Sequence, residues 1–167
     1  GVSFSTGGAV SNTGIALQRL GFEPILVGRI GDDHFGEIVK SIYRREDAVG
    51  QHLAVCPGET TSYSIVLSSP ESDRAFLHYP GTNDSFSPED VDFSLVQGGL
   101  FHFGYPPLMA KMYANSGEAL QTVFRRAKEY NMVTSLDMAM PDPHSPAGKA
   151  PWRKIMATVL PYVDLFV

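Results

Sequence analysis

Hydrophobic positions along the chain follow two alternating rhythms. Residues 9–20 place Val10, Leu17 and Leu20 at near-helical spacing and end at Gly21, which suits the left-handed stop of a helix. Ile25-Leu26-Val27 follows as a short, continuously apolar run, the pattern of a strand covered on both faces in a parallel sheet. Asp33 is then placed to cap a helix whose Phe35, Ile38, Val39, Ile42 and Tyr43 form one apolar stripe. The alternation predicts strand and helix units packed as layers.

The middle of the chain changes to a period of two. Tyr63, Ile65 and Leu67 alternate with Ser62, Ser64 and Val66. Beyond the polar turn region at residues 68–73, Ala75, Leu77 and Tyr79 alternate with Arg74, Phe76 and His78. This predicts an antiparallel hairpin over about residues 61–68 and 74–79, with one wetter face. Phe76 and His78 share one face, Leu77 and Tyr79 the other, and the pattern leaves open which face meets a ligand.

After Pro80-Gly81 the first rhythm returns. Ser87-Pro88 reads as a cap and first helical residue, residues 100–103 as a strand, and Leu120, Val123, Phe124 and Ala127 as one helix face. Residues 132–137 read as the next strand and residues 141–150 as a Pro- and Gly-rich loop. Pro151 opens a helix carrying Ile155, Met156, Val159 and Leu160. The chain opens without Met inside what reads as a strand (Val2-Ser3-Phe4) and stops on another (residues 163–167), so we expect a fragment truncated at both ends.

Composition narrows the function classes. At 167 residues, 43% hydrophobic and 19% charged, the chain suits one globular domain. A net charge of -5 with scattered Lys and Arg argues against a nucleic-acid partner. Cys56, the single cysteine, has no internal disulfide partner, and no signal peptide or apolar run approaches the roughly 20 residues a membrane span needs. The expected location is the cytoplasm. The five histidines lack metal-ligand spacing, and no Walker loop, dinucleotide fingerprint or nucleophile elbow occurs.

The chemistry concentrates in Ser5-Thr6-Gly7-Gly8-Ala9-Val10-Ser11-Asn12, then Gly28-Arg29-Ile30-Gly31-Asp32-Asp33-His34-Phe35-Gly36. Gly7 and Gly8 let backbone amides approach a ligand at a helix N-terminus, where free N–H groups and a partial positive charge favour an oxygen. Asn12, one turn on, offers a donor and an acceptor. Asp32 and Asp33 read as a turn residue and an N-cap rather than a catalytic pair. Gly104 and Tyr105 end a parallel strand, where ligands of open α/β sheets gather, and Asp137 ends another. Asp137 reads equally as a buried, capped carboxylate.

Together these runs resemble the signature of the ribokinase-like (PfkB) carbohydrate kinases: a Gly-Gly turn, an Asn four residues on, a Leu-Gly helix end at Leu20-Gly21, and the Gly31-Asp32-Asp33 turn closed by Gly36. Gly58-Glu59-Thr60-Thr61, residues 74–84, Asp137 and residues 163–167 match later landmarks of that family. The resemblance implies a three-layer αβα fold with a mostly parallel sheet and a small antiparallel lid, here a partial domain over residues 1–167. The lid strands would lie at about residues 1–5, 61–68 and 74–79.

By the same resemblance, the intact protein phosphorylates a sugar or related small polyol. Gly7, Gly8, Asn12, His78, Gly104 and Tyr105 would contact the sugar, and Asp137 would lie near the metal and phosphates of the cofactor. ATP and Mg²⁺, with a monovalent cation allowed, would bind mainly to a C-terminal half that this chain lacks. The family's Gly-Ala-Gly-Asp motif, which carries the catalytic base, does not occur here, and the Asn and Arg of its Asp-x-Asn-x-Arg segment are replaced at Ala139 and Pro141. The fragment alone is therefore expected to be inactive. The resemblance also implies a homodimer through the lid. A non-catalytic sugar-binding or dimerisation module on the same fold is the alternative.

Overall fold

Small side chains, rather than large ones, set how the first helix packs. The computed structural model describes residues 1–46, 52–69, 72–95 and 99–167. Helix α1 (Gly8–Arg19) buries Ala9, Ser11 and Gly14, whereas Leu20 is 74% exposed. The spacing of Val10, Leu17 and Leu20 thus misplaced the helix face. Gly14 lies directly under Leu26, where a Cβ would collide with its side chain, and the Ser11 hydroxyl shares a 2.7 Å hydrogen bond with the Tyr43 hydroxyl. A face of small residues lets the helix approach closely and leaves little hydrophobic periodicity to read.

The strand expected at residues 25–27 lies later, as β1 (Val27–Gly31). It pairs in parallel with β2 (His52–Cys56), a strand not anticipated, with Val27 opposite His52 and Gly31 opposite Cys56. Glycines and Arg29 conceal β1 because its apolar alternation is interrupted by residues chosen for close approach and charge. Between these strands runs α2 (His34–Arg45), capped by the Asp33 carboxylate, which accepts from the Gly36 N–H at 2.8 Å. Of its apolar stripe, Ile42 and Tyr43 are buried while Phe35 stacks on Tyr63 at 4.7 Å.

The antiparallel hairpin comprises β3 (Tyr63–Ser69) and β4 (Ser72–Tyr79), with Tyr63 opposite Tyr79 and Ser64 opposite His78. Pro70 and Glu71 of the expected turn lie outside the described residues. The lid strand expected at residues 1–5 is not formed: residues 1–7 carry no strand pairing, and Val2 and Phe4 face solvent. An isolated extended segment has no ladder partner to stabilise it.

After the short helix α3 (Thr82–Ser85), the remaining elements build the larger core. These are β5 (Leu100–Gly104), α4 (Ala110–Tyr113), α5 (Glu118–Glu129), β6 (Val133–Asp137), α6 (Trp152–Val159) and β7 (Leu165–Phe166). Strands β5, β6 and β7 form a parallel sheet in that order. Instead of one parallel sheet, the described residues thus form two, β1 with β2 and β5 with β6 and β7.

Both parallel sheets lie between the same helical layers. Val27, Phe101 and Phe103 turn toward the core that contains Phe124, Met112 and Ile155. On the opposite face Leu53 joins the cluster of Leu26 and Tyr43 with Val10 and Val39, and Gly104 meets Ala9 of α1. Residues Leu120, Val123, Phe124 and Ala127, anticipated as one face of α5, are fully buried. Among the described residues, no helix is long and apolar enough to cross a membrane.

Phe124 stands edge-on to both Phe101 and Phe103, at 5.7 and 6.1 Å between ring centres. Phe124→Ala is expected to lower unfolding free energy by about 3–5 kcal/mol, read by urea denaturation of the protein as expressed from its gene. At the sheet edge, the Asp164 carboxylate receives an ion-pair hydrogen bond from Lys128, the Thr134 N–H at 2.7 Å and the Thr134 hydroxyl at 3.0 Å. Led by Lys128, these donors lower its pKa to about 2. Because the folded value lies below the unfolded one near 3.9, the contribution is complete above about pH 4 and is lost as pH falls toward 2. Acid titration of Asp164→Asn against the parent, followed by circular dichroism, should show the variant's stability to be the less pH-dependent over that window.

Candidate functional site

Two backbones touch where β5 ends. Gly104 is buried there, and a Cβ on it would collide with the Cβ of Ala9 and come within 3.8 Å of the Asp137 Cβ. This contact brings the N-terminus of α1 against the carboxyl ends of β5 and β6. Gly104 pairs with Asp137 in the ladder, and the Tyr105 N–H then donates to the Asp137 carbonyl at 2.8 Å. Tyr105 adopts the left-handed region at φ 62, which turns the chain sharply out of the sheet.

Above that contact the helix end is open. Gly7 has an extended backbone and caps α1 without a side-chain hydrogen bond, while Gly8 takes φ +75, a conformation that an L side chain adopts only with strain. Neither has any atom within 4 Å of where a Cβ would project, and both are exposed. The N–H groups of the first turn lack intrahelical acceptors, and they and the positive end of the helix lie at an exposed helix start. Asn12 is exposed one turn further on and makes no side-chain hydrogen bond among the described residues.

Gly7, Gly8, Gly104, Tyr105 and Asp137 are thus gathered by one helix end and two strand ends, as their sequence positions anticipate. His78 belongs to the hairpin instead. Its Nδ1 lies 2.9 Å from the Ser64 hydroxyl across the ladder. Desolvation by neighbouring groups lowers its pKa from the ordinary imidazole value, opposed by the Asp84 carboxylate. Asp84 also accepts from the Ala110 N–H at 2.9 Å at the start of α4. Of the two hairpin faces, the one with Ser64 and His78 is the face under the field of Asp84, while Tyr63 and Tyr79 stack in line with Phe35 of α2.

Asp32 and Asp33 are structural, as expected. Asp32 accepts from the Gly58 N–H at 3.1 Å. Asp33 accepts from the Thr61 hydroxyl at 2.6 Å and from its N–H at 2.9 Å, besides capping α2. Burial works against its charge, but these donors outweigh it and hold its pKa below the ordinary carboxylate value. Two features escaped the sequence reading. Arg29 bridges Asp90 and Glu59, each at 2.8 Å, and its guanidinium is held charged by them against the opposing desolvation. His102 bonds Ser135 at 3.1 Å on the α1 face of the sheet. A charged residue inside a strand between two glycines was the one available signal for Arg29.

Among the described residues no three His, Cys, Asp or Glu side chains converge as a cation site. What the arrangement provides is an exposed helix start, with Asn12 one turn on, next to two strand ends that include the Asp137 carboxylate.

Known proteins share this fold. "Probable fructokinase-2" of Arabidopsis thaliana is 28% identical over 154 residues, covering 90% of this chain and 46% of that protein. The fructokinase of Xylella fastidiosa solved with bound ATP superposes with a TM-score of 0.77 at 23% identity, over 96% of this chain and 49% of that one. The Vibrio cholerae O395 fructokinase, solved with fructose, ADP and calcium ion, gives 0.72 at 23% identity, over 96% and 51%. These likenesses show the ribokinase-type fold, and the chain spans about half the length of the relatives it matches. The family model for pfkB family carbohydrate kinases matches residues 1–167, and the chain belongs to that family.

Proposed function

We propose that the protein carrying this chain transfers the γ-phosphoryl group of ATP to a hydroxyl of a sugar, with fructose the leading acceptor, and that residues 1–167 supply the acceptor side of the site. The observation that supports this reading is the open N-terminus of α1. Gly7 and Gly8 leave the first-turn amides accessible directly above the Gly104 and Asp137 strand ends. In that position the first-turn N–H groups donate to ring hydroxyls, the Asn12 side chain both donates and accepts, and Tyr105, held in its left-handed turn, walls one side. Phosphoryl transfer depends chiefly on positioning, so fixing the acceptor oxygen is this half's contribution. ATP supplies the phosphoryl group when bound. Neither the base nor a divalent-ion site is assigned to these residues.

The hairpin serves as the cover of the acceptor, with the His78 face turned inward. Its outer apolar residues, Ile65, Leu67 and Leu77, are about half exposed, which favours pairing with a second copy of the chain. The lone, buried Cys56 fits a reducing compartment, and we place the protein in the cytosol.

A coupled ADP-release assay of the protein as expressed from its gene, run against fructose, ribose, other hexoses and nucleosides, is expected to show turnover with one acceptor class. Asn12→Ala should raise KM for that acceptor by about tenfold or more, the loss of a hydrogen bond or two to ligand hydroxyls. Sugar binding by calorimetry without any turnover would favour the non-catalytic module instead. Sedimentation velocity should show a dimer that Leu77→Asp converts to monomer; a monomeric parent would remove the hairpin interface.

A further inference from the structure

The hairpin is joined to the body through a narrow base. Segments 58–62 and 79–82 run side by side there, with the Thr82 N–H donating to the Thr60 carbonyl at 2.9 Å and the Asn83 amide to the Ser62 hydroxyl at 3.0 Å. Gly31, at the end of β1, has no room for a Cβ against the Glu59 carbonyl, and Gly81, at φ +50, has none against the Thr60 carbonyl. Backbone is therefore packed on backbone up to Thr61. From Tyr63 onward the strands leave the body. Ile65, Val66, Leu67, Phe76 and Leu77 are exposed on both faces, and the stack of Phe35 on Tyr63 is the ring contact that ties the first pair to α2.

Thr61 is the last residue on the fixed side, and one carboxylate holds it. Asp33 receives both its N–H and its hydroxyl, while the same hydroxyl accepts from the Gly31 N–H at 2.8 Å. Asp33 simultaneously caps α2, two residues before Phe35. The first turn of α2 thus grips the hairpin base twice, through a charged hydrogen-bond clamp at Thr61 and through an aromatic stack at Tyr63.

We propose that Asp33 is a positioning residue for the lid: its carboxylate clamps Thr61 to β1 and α2, so that the hairpin moves as a unit about Ser62 and Pro80 while residues 58–61 stay with the body. The role of the hairpin as cover of the acceptor rests on the kinase reading, but the clamp itself does not. Two properties make the assignment testable. Asparagine is as good an N-cap as aspartate, so Asp33→Asn keeps the start of α2, yet it places an amide donor where the Thr61 N–H needs an acceptor. Thr61→Ser keeps the hydroxyl, whereas Thr61→Val removes it.

Amide hydrogen exchange on the protein as expressed from its gene decides the matter without any substrate. In the parent, the Thr61 and Gly31 amides should be protected together and more strongly than the hairpin amides of residues 63–67 and 75–79. Asp33→Asn and Thr61→Val should each speed exchange at Gly31, Thr61 and the hairpin by about tenfold or more, the scale of a lost hydrogen bond to a charged group, with residues 38–45 of α2 unchanged. Thr61→Ser should match the parent, and Phe35→Ala should loosen the hairpin while leaving Gly31 and Thr61 protected. Where turnover is measured, Asp33→Asn should raise KM for the acceptor more than it lowers kcat, since a loosely seated lid reduces the competent population. An Asp33→Asn variant that frays α2 but leaves the hairpin unchanged would overturn the proposal, as would a parent in which Thr61 exchanges as fast as the hairpin. Should Asp33→Asn fail to fold, Thr61→Val and the parent's own exchange pattern carry the same decision. Absence of sugar turnover in the parent would sink the kinase reading and leave the exchange result standing.

Discussion

Backbone packed directly on backbone, with a single carboxylate tying it together, is the constraint on which this structure depends. At the carboxyl end of β1 the segments around Gly31, Thr60 and Gly81 come together with no side chain between them. Such proximity leaves polar main-chain groups away from water, and each must find a partner. Asp33 and the Thr61 hydroxyl satisfy the Gly31, Gly36 and Thr61 N–H groups in one cluster. Two residues back along β1, Arg29 bridges Asp90 and Glu59, and Glu59 also accepts from the Ser85 hydroxyl. Removing either carboxylate would leave the guanidinium short of a partner in a half-buried setting, a larger loss than the pair's net contribution.

The second sheet is held in a different way. Around β5 and β6 the packing is apolar and aromatic, with Phe101, Phe103 and Phe124 in edge-to-face contact and Leu120, Leu136 and Ile155 fully buried. Hydrophobic burial is non-directional, so this core provides stability without dictating where a ligand binds. Direction comes from its far face, where the missing side chain of Gly104 admits Ala9 and so aims the N-terminus of α1 over the strand ends. Among the described residues the two sheets share helical layers but not a ladder, and α1 reaches toward both: Gly14 lies under Leu26, just before β1, and Ala9 lies against Gly104 of β5.

Core packing and the candidate site therefore occupy different parts of the fold. The buried stripes of α5 and α6 lie beneath the sheet, whereas the positions with chemistry lie at termini: the first turn of α1, the last residues of β5 and β6, and the base of the hairpin. Terminal backbone groups have unused hydrogen-bonding capacity, which is what a hydroxyl-rich acceptor requires.

How much of this was legible in the sequence depends on the physical signal involved. The face of α5, the cap at Asp33, the hairpin and the strand-end positions Gly104, Tyr105 and Asp137 follow from periodicity, capping chemistry and turn residues, all local properties of neighbouring amino acids. The Gly7-Gly8 turn was legible as a helix start for the same reason, and the family resemblance added its order along the chain. Tertiary structure alone decided the inward face of α1, because a helix of small residues is chosen by what packs on it, Leu26 and Gly104, rather than by its own periodicity. It likewise decided that β1 runs through Arg29 to Gly31, that residues 1–5 lack a strand partner, and that Asp33 reaches Thr61, 28 residues away along the chain. Those outcomes rest on contacts between distant segments, whose energies no local pattern encodes.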